Sequence, residues 1–269
     1  PVLCPEIIPE AHIDPIQCES GFLQASPELC MKRMLAAGCD RIFQICHTFR
    51  KSERGNRHLP EHTLLEWYGA GQTYLDLMDT CQDLIVFISR HLGQGERLHY
   101  QKHQVDLRLP WQRLSVEKAF QRYSDTTLSA ALASEQVDEI ISFQIEPCLG
   151  LSRPVFLMDY PKTMAALARL TPSSHNFAER TELYIAGMEL ANGFTELTAP
   201  EEQKKRFIKE NQIRRQRGEP ALPMPDKFLA DLSEMPEAAG MALGVDRLVM
   251  LFCNTDCIDD VVAFTPEDL

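Results

Sequence analysis

Two alternating segments separated by a cationic stretch constrain this chain more than any other feature. Residues 41–50 read RIFQICHTFR, with Phe43, Ile45 and Phe49 on one face and Gln44, Cys46, Thr48 and Arg50 on the other. A period of two marks a strand, and a polar second face is one that could hold a ligand. The alternation resumes from His62 to Tyr68, placing His62, Leu64, Glu66 and Tyr68 together. If Arg50 ends one strand and His62 begins the next, the eleven residues between them form a long cationic hairpin loop. The planar fork of Arg50 suits a phosphate, and Arg57 and His58 can reach over a polyphosphate tail. Taken alone, the same stretch also reads as a solvated charged loop.

Two further stretches bear on that choice. In ERTELYIAGMELANGFTEL, Glu179 to Leu197, a two-residue turn at Ala186-Gly187 pairs Ile185 with Met188. Tyr184 then faces Glu189, and Glu182 lies diagonally from Glu189 on the same side. Two convergent carboxylates fit a divalent cation that bridges to phosphate oxygens; they also fit a pair of exposed glutamates. Asn192, Phe194 and Glu196 alternate together, but simple counting puts them on the face opposite Glu189. A bulge near Asn192-Gly193 would bring both sets into one pocket, where Glu196 suits an ammonium group and Phe194 an alkyl chain. In GMALGVDRL, Gly240 to Leu248, glycine allows close backbone approach and Arg247 opens a helix. A cation at a helix N-terminus is electrostatically awkward unless an anion such as a polyphosphate faces it.

Composition narrows the class. The chain has 269 residues and a formal net charge of -12, which argues against nucleic acid as its main partner. Nine dispersed cysteines without a C-x-x-C suggest free thiols in a reducing cytoplasm rather than disulfides or a zinc site. No apolar run approaches the roughly 20 residues that span a bilayer. Helices are predicted over Pro27–Gly38 with Ser26 as cap, and over Asp76–His91, Val116–Tyr123, Ser129–Phe143, Glu201–Arg217 and Val245–Cys253. Strands are predicted over Pro154–Asp159 and Gly240–Gly244, and a hairpin over Thr181–Leu197. With no repeat or long linker, residues 1–269 read as one α+β domain around an antiparallel sheet flanked by helices.

Together these residues resemble the catalytic core of class II aminoacyl-tRNA synthetases of the lysine branch. The Phe49–Tyr68 stretch resembles motif 2 and GMALGVDRL motif 3. ASPELCMKRML (Ala25 to Leu35) and ELANGFTEL resemble the lysine-pocket segments. Val2-Leu3-Cys4-Pro5 resembles the tail of motif 1, whose helix is expected before Pro1, and no anticodon-binding OB-fold is expected in the chain. Within the branch the likeness is greatest to the stand-alone lysyl-tRNA synthetase paralogues that modify elongation factor P. The acidic balance favours these over a tRNA ligase, as does Ala242, where lysyl-tRNA synthetases have glycine.

The resemblance implies activation of lysine or β-lysine by ATP with Mg²⁺, then transfer to a lysine of elongation factor P. The other readings are charging of tRNA(Lys) and a non-catalytic paralogue. It implies that Arg50 contacts the α-phosphate and the substrate carboxylate, Arg247 the γ-phosphate, Arg57 and His58 the ATP tail, and Glu61 the adenine side. Glu182 and Glu189 would hold Mg²⁺. Glu28, Glu66, Tyr68, Asn192, Phe194, Glu196 and Ala242 would line the amino-acid pocket. It further implies a cytoplasmic homodimer. Two positions depart from the pattern: Ser52 replaces a motif 2 glutamate, with Glu53 next to it, and His62 replaces the phenylalanine that stacks on adenine. These departures bear on ATP affinity rather than on the fold.

Overall fold

The computed structural model describes residues 1–268. In chain order the first elements are β1 (Leu3–Cys4), β2 (Gln17–Cys18), β3 (Gly21–Leu23), α1 (Glu28–Ala36), β4 (Arg41–Phe49) and β5 (Glu61–Ala70). There follow α2 (Tyr74–His91), β6 (Arg97–Tyr100), β7 (His103–Asp106), β8 (Gln112–Ser115), α3 (Val116–Tyr123), α4 (Leu128–Ala133) and α5 (Val137–Ile140). The chain closes with β9 (Val155–Pro161), β10 (Phe177–Ile185), β11 (Met188–Thr195), α6 (Pro200–Gln216), α7 (Asp226–Asp231), β12 (Ala238–Gly244) and α8 (Val245–Cys253). These elements form two compact units: residues 1–72, 196–247 and 257–269, and residues 73–195 and 248–256.

In the first unit β5 is paired on both edges, antiparallel to β4 and to β12. Its even positions Leu64, Glu66 and Tyr68 are buried, so the strand carries a carboxylate and a phenol into the interior beside a leucine. The apolar row of β4 behaves in the opposite sense to a core face. Phe43 and Ile45 are 72% and 61% exposed, whereas Thr48 on the polar face is fully buried. Helix α1 begins as predicted, with the Ser26 hydroxyl accepting the Glu28 amide at 3.0 Å. Strand β3 lies between β1 and β2 in a small antiparallel sheet that the alternation did not signal.

In the second unit the strand order is β11-β10-β9-β8, antiparallel as expected apart from the parallel pair β8–β9. Helix α2 starts at a capping box in which Asp76 accepts the Thr73 amide at 2.7 Å. The single helix expected over Ser129–Phe143 is broken. Ser134 closes α4 and Glu135 turns left-handed at φ 57, before α5 and a wide turn over Ile141–Ile145 resume. Those short pieces wrap a core built on Phe120, Leu128, Ile141, Ile145, Leu157 and Tyr184. All nine cysteines are free, as expected.

Gly150 makes a close backbone approach in the second unit. Its φ is +71, its carbonyl accepts the Ala186 amide at 2.9 Å, and an added Cβ would stand 2.5 Å from the Tyr184 carbonyl oxygen. Gly150→Ala should therefore lower stability by about 1 kcal/mol or more, through left-handed strain and collision together. An unchanged midpoint in calorimetric melting would contradict this placement of the hairpin.

Candidate active site

Two buried carboxylates, Glu66 and Glu196, the half-buried Glu28 and the buried Lys32 ammonium are gathered in the first unit. Glu66 projects from the centre of β5, where its Oε1 accepts the Ser26 hydroxyl at 2.6 Å and its Oε2 the Tyr68 hydroxyl at 2.8 Å. Glu28 lies in the first turn of α1 and Lys32 one turn later, so the helix itself brings them to 2.5 Å. Glu196, in the segment just after β11, reaches the same Lys32 ammonium at 2.5 Å. The other carboxylate oxygen of Glu196 has no donor among the described residues. Gly240 on β12 faces Tyr68, and a Cβ there would collide with the Tyr68 ring and approach Glu196. Ala242 pairs directly with Glu66. The predicted residues Glu28, Glu66, Tyr68, Glu196 and Ala242 are thus gathered in one region of this unit.

The electrostatics follow from burial. Loss of water raises Glu66 to about 7, and the nearby Glu28 charge adds to the shift; Ser26, Tyr68 and Arg50 oppose it. Glu196 is likewise pushed above the carboxylate range by burial, against the pull of Lys32. Both shifts come from burial and would be relieved by a further positive charge, so the cluster suits an ammonium.

The loop between β4 and β5 gathers the opposite charge. Arg50 donates from Nε to the Ala25 carbonyl at 3.4 Å and lies 3.7 Å from Glu53, so the residue beside Ser52 does meet the arginine. Ser52 itself turns left-handed at φ 64. Arg247, in the first turn of α8, contacts His58 Nε2 and donates to the Arg57 carbonyl at 3.3 Å. Asp246 accepts the Thr63 amide at 2.7 Å, which ties the start of α8 to β5. His58 and His62 are both held down to about 4, by burial first and then by arginines: Arg247, Arg50 and Arg57 around His58, Arg50 around His62. His62 Nδ1 points to the Leu59 carbonyl at 3.2 Å, on the β5 face that also carries Glu66 and Tyr68. Glu61 does not join it. It occupies the opposite face of β5, exposed and 3.3 Å from His47.

In the second unit the β10–β11 hairpin turns as predicted, with Ile185 opposite Met188 and Tyr184 opposite Glu189. The bulge is present but lies earlier than expected. Leu183 pairs with Ala191, so Leu190 is the extra residue and Glu182 comes opposite Asn192, Arg180 opposite Phe194. That shift places Glu182, Glu189, Asn192 and Phe194 on one face. Glu182 is already well supplied with donors: Arg180 at 2.6 Å, Tyr160 at 2.5 Å and Tyr184 at 2.7 Å. Among the described residues no group of three or more histidines, cysteines or carboxylates is gathered around a metal position. The pair Glu182 and Glu189 therefore fits Mg²⁺ only as a minority of its ligands, the rest being phosphate and water, which is how that ion is commonly held.

Several functional positions escaped the sequence. Lys32 follows Glu28 by four residues and was legible as a helical ion pair. Arg54 was not: its clasp to Asp259 and Glu267, both at 2.9 Å, fixes the loop to residues more than 200 positions away.

Comparison with known proteins adds the family to which these residues belong. The family model for class II tRNA synthetases (D, K and N) matches residues 8–268. The chain is similar to elongation factor P–(R)-β-lysine ligase of Pectobacterium carotovorum, 42% identical over 255 residues that cover 91% of this chain and 78% of that protein. The ligases of the same name from Klebsiella pneumoniae and Erwinia tasmaniensis are 40% and 41% identical over 254 residues, with the same coverage of both chains.

Because the folded pKa of Glu66 is raised, its contribution to stability is complete below the unfolded value and is lost as pH climbs to about 7. The ligand-free protein should lose melting temperature between pH 5 and 8, and Glu66→Gln should flatten that fall. Parallel curves for the two proteins would refute the assignment.

Proposed function

Because this chain belongs to the class II tRNA synthetases (D, K and N), we propose that it activates lysine or β-lysine with ATP and transfers it to a lysine of elongation factor P. The observation that carries the reading is the excess of buried carboxylate over buried ammonium at Glu28, Glu66, Glu196 and Lys32, which suits a substrate bearing a side-chain amine. The chemistry is ligation. A substrate carboxylate oxygen attacks the α-phosphorus, pyrophosphate leaves, and the aminoacyl adenylate forms. The acceptor amine then attacks the acyl carbon, AMP departs, and the amine gives up a proton. No protein nucleophile is required.

Arg50 and Arg247 would neutralise charge developing on the phosphates, the usual work of fixed cations at a phosphoryl centre. Arg57 and His58 would meet the ATP tail. Their histidine neighbours suit this role because an unprotonated ring leaves the arginines as the charge carriers. His62, held neutral, would stack on adenine, with Ser52 and Glu53 completing the loop and Glu61 at its edge. Tyr68 and Ala242 would shape the amino-acid subsite about Glu66. The roles implied for Glu182 and Glu189 with Mg²⁺, and for Asn192 and Phe194 with the amino acid, belong to the same proposal. When bound, Mg²⁺ would offset phosphate charge.

One family match running from residue 8 to residue 268 supports treating both compact units as parts of one catalytic domain. The net charge of -12 favours a protein acceptor over tRNA. The exposed apolar row of Phe43 and Ile45 supports a homodimer. No described helix is long and apolar enough to cross a membrane, and we place the protein in the cytoplasm with its acceptor.

The test is ATP–pyrophosphate exchange with lysine and with β-lysine, followed by transfer of labelled amino acid to elongation factor P or to tRNA(Lys). Exchange and labelling of the protein are expected; labelling of tRNA alone, or no exchange with either amino acid, would overturn the proposal. Arg247→Ala and Arg50→Ala should each reduce exchange by about 100-fold or more.

A further inference from the structure

Among the described residues, Lys32 supplies the ammonium that is ion-paired to Glu28 and Glu196. Its side chain is 2% exposed, and its ammonium lies 2.5 Å from both a Glu28 and a Glu196 oxygen. These two carboxylates come from places far apart in sequence, the first turn of α1 and the segment after β11. We infer that Lys32 is a positioning residue of the amino-acid subsite: it holds Glu28 and Glu196 side by side for an incoming ammonium.

The physical case rests on what the carboxylates would do without it. The charged and titratable groups facing this cluster are Glu28 and Lys32 from α1, Glu66 and Tyr68 from β5, the Cys46 thiol of β4, Arg50 just after β4, and Glu196. Buried carboxylates without a compensating cation take up protons instead of remaining charged. A subsite of neutral acids would offer an ammonium hydrogen-bond acceptors but little charge. Three acids face Lys32 and Arg50 here, and one Glu196 oxygen lacks a donor among the described residues. Lys32 therefore tunes the subsite without filling it. A merely structural lysine, pinning α1 to the segment after β11, would make the same two contacts but would not govern how amino-acid binding depends on pH.

This inference deepens the proposed amino-acid-activating function and rests on it. The decisive experiment compares wild type with Lys32→Met in ATP–pyrophosphate exchange between pH 6 and 9. Lys32→Met should raise KM for the amino acid at pH 7 by at least tenfold and leave KM for ATP within twofold. It should also move the pH at which amino-acid KM improves to the alkaline side, and methylammonium at millimolar concentrations should restore part of the loss. A uniform fall in kcat with no pH shift and no rescue would overturn the inference and leave Lys32 as a structural pin. If Lys32→Met does not fold, Lys32→Arg carries the test: the charge is kept but the carboxylates are displaced, so amino-acid KM should rise with its pH profile unmoved. An unchanged KM in Lys32→Arg would count against the inference.

Melting of the ligand-free proteins separates failure of this inference from failure of the proposed function. Without Lys32 the folded acids bind protons to higher pH, so the destabilisation caused by Lys32→Met should grow as pH rises from 5 to 9. A constant offset would refute the inference even if wild type proves an active ligase. If wild type activates no amino acid, the proposed function fails, and the melting curves still decide what Lys32 does.

Discussion

Two carboxylates taken out of water, Glu66 and Glu196, beside the half-buried Glu28 and the Lys32 ammonium set the terms for the first unit. Such a cluster is not a device for stability, since desolvating each charge costs more than an imperfect partner returns. Its presence requires a scaffold that can absorb the cost. β5 provides it, being paired on both edges and therefore rigid in register, so that Glu66 and Tyr68 must face the interior with Leu64. On the neighbouring strand Gly240 leaves space for the Tyr68 ring, and a single methyl there would displace the phenol that supports Glu66. The helix contributes the rest, because a spacing of four residues puts Glu28 and Lys32 on one face.

The loop of arginines shows the complementary economy. His58 and His62 are kept neutral among Arg50, Arg57 and Arg247, so positive charge there is carried by groups that do not titrate near neutrality. Arg54 is spent differently. It is exposed and bound to Asp259 and Glu267, and the Ile258 amide donates to the Asn56 carbonyl at 2.7 Å. The loop is thus anchored at its tip by the C-terminal segment, while Arg50 at its base is held by the Ala25 carbonyl and Glu53. A long cationic loop with both ends fastened loses less freedom when it closes on an anion than a free one would.

Alternation and helical spacing made most of the secondary structure legible, because β4, β5, α2, α3, α6 and α8 each follow one period over many residues. What stayed hidden had no such period. Strands β1, β2 and β3 hold two or three residues each, too few to alternate, and β8 pairs in parallel through contacts distant in sequence. The helix expected over Ser129–Phe143 failed because its apolar spacing continues across a left-handed turn at Glu135, which sequence periodicity does not see. Within the site, the acids of α1 and β5 were legible from their motifs. The Arg180, Tyr160 and Tyr184 donors to Glu182 were not, since their convergence depends on the register of β9 against β10.

The bulge at Leu190 shows how much function can hang on one residue of register. Without it, Asn192 and Phe194 would fall on the face away from Glu182 and Glu189, as alternation from the Ala186-Gly187 turn requires. With it, Glu182 stands opposite Asn192, and Arg180 can span both, 2.6 Å from Glu182 and 3.4 Å from the Asn192 amide oxygen. The guanidinium also stacks over the Tyr160 ring at 4.6 Å, which fixes its plane. A slip of β11 by one residue would leave the Arg180–Glu182 pair intact, since both stand on β10, but it would take the Asn192 amide away from the guanidinium and turn Asn192 and Phe194 to the other face.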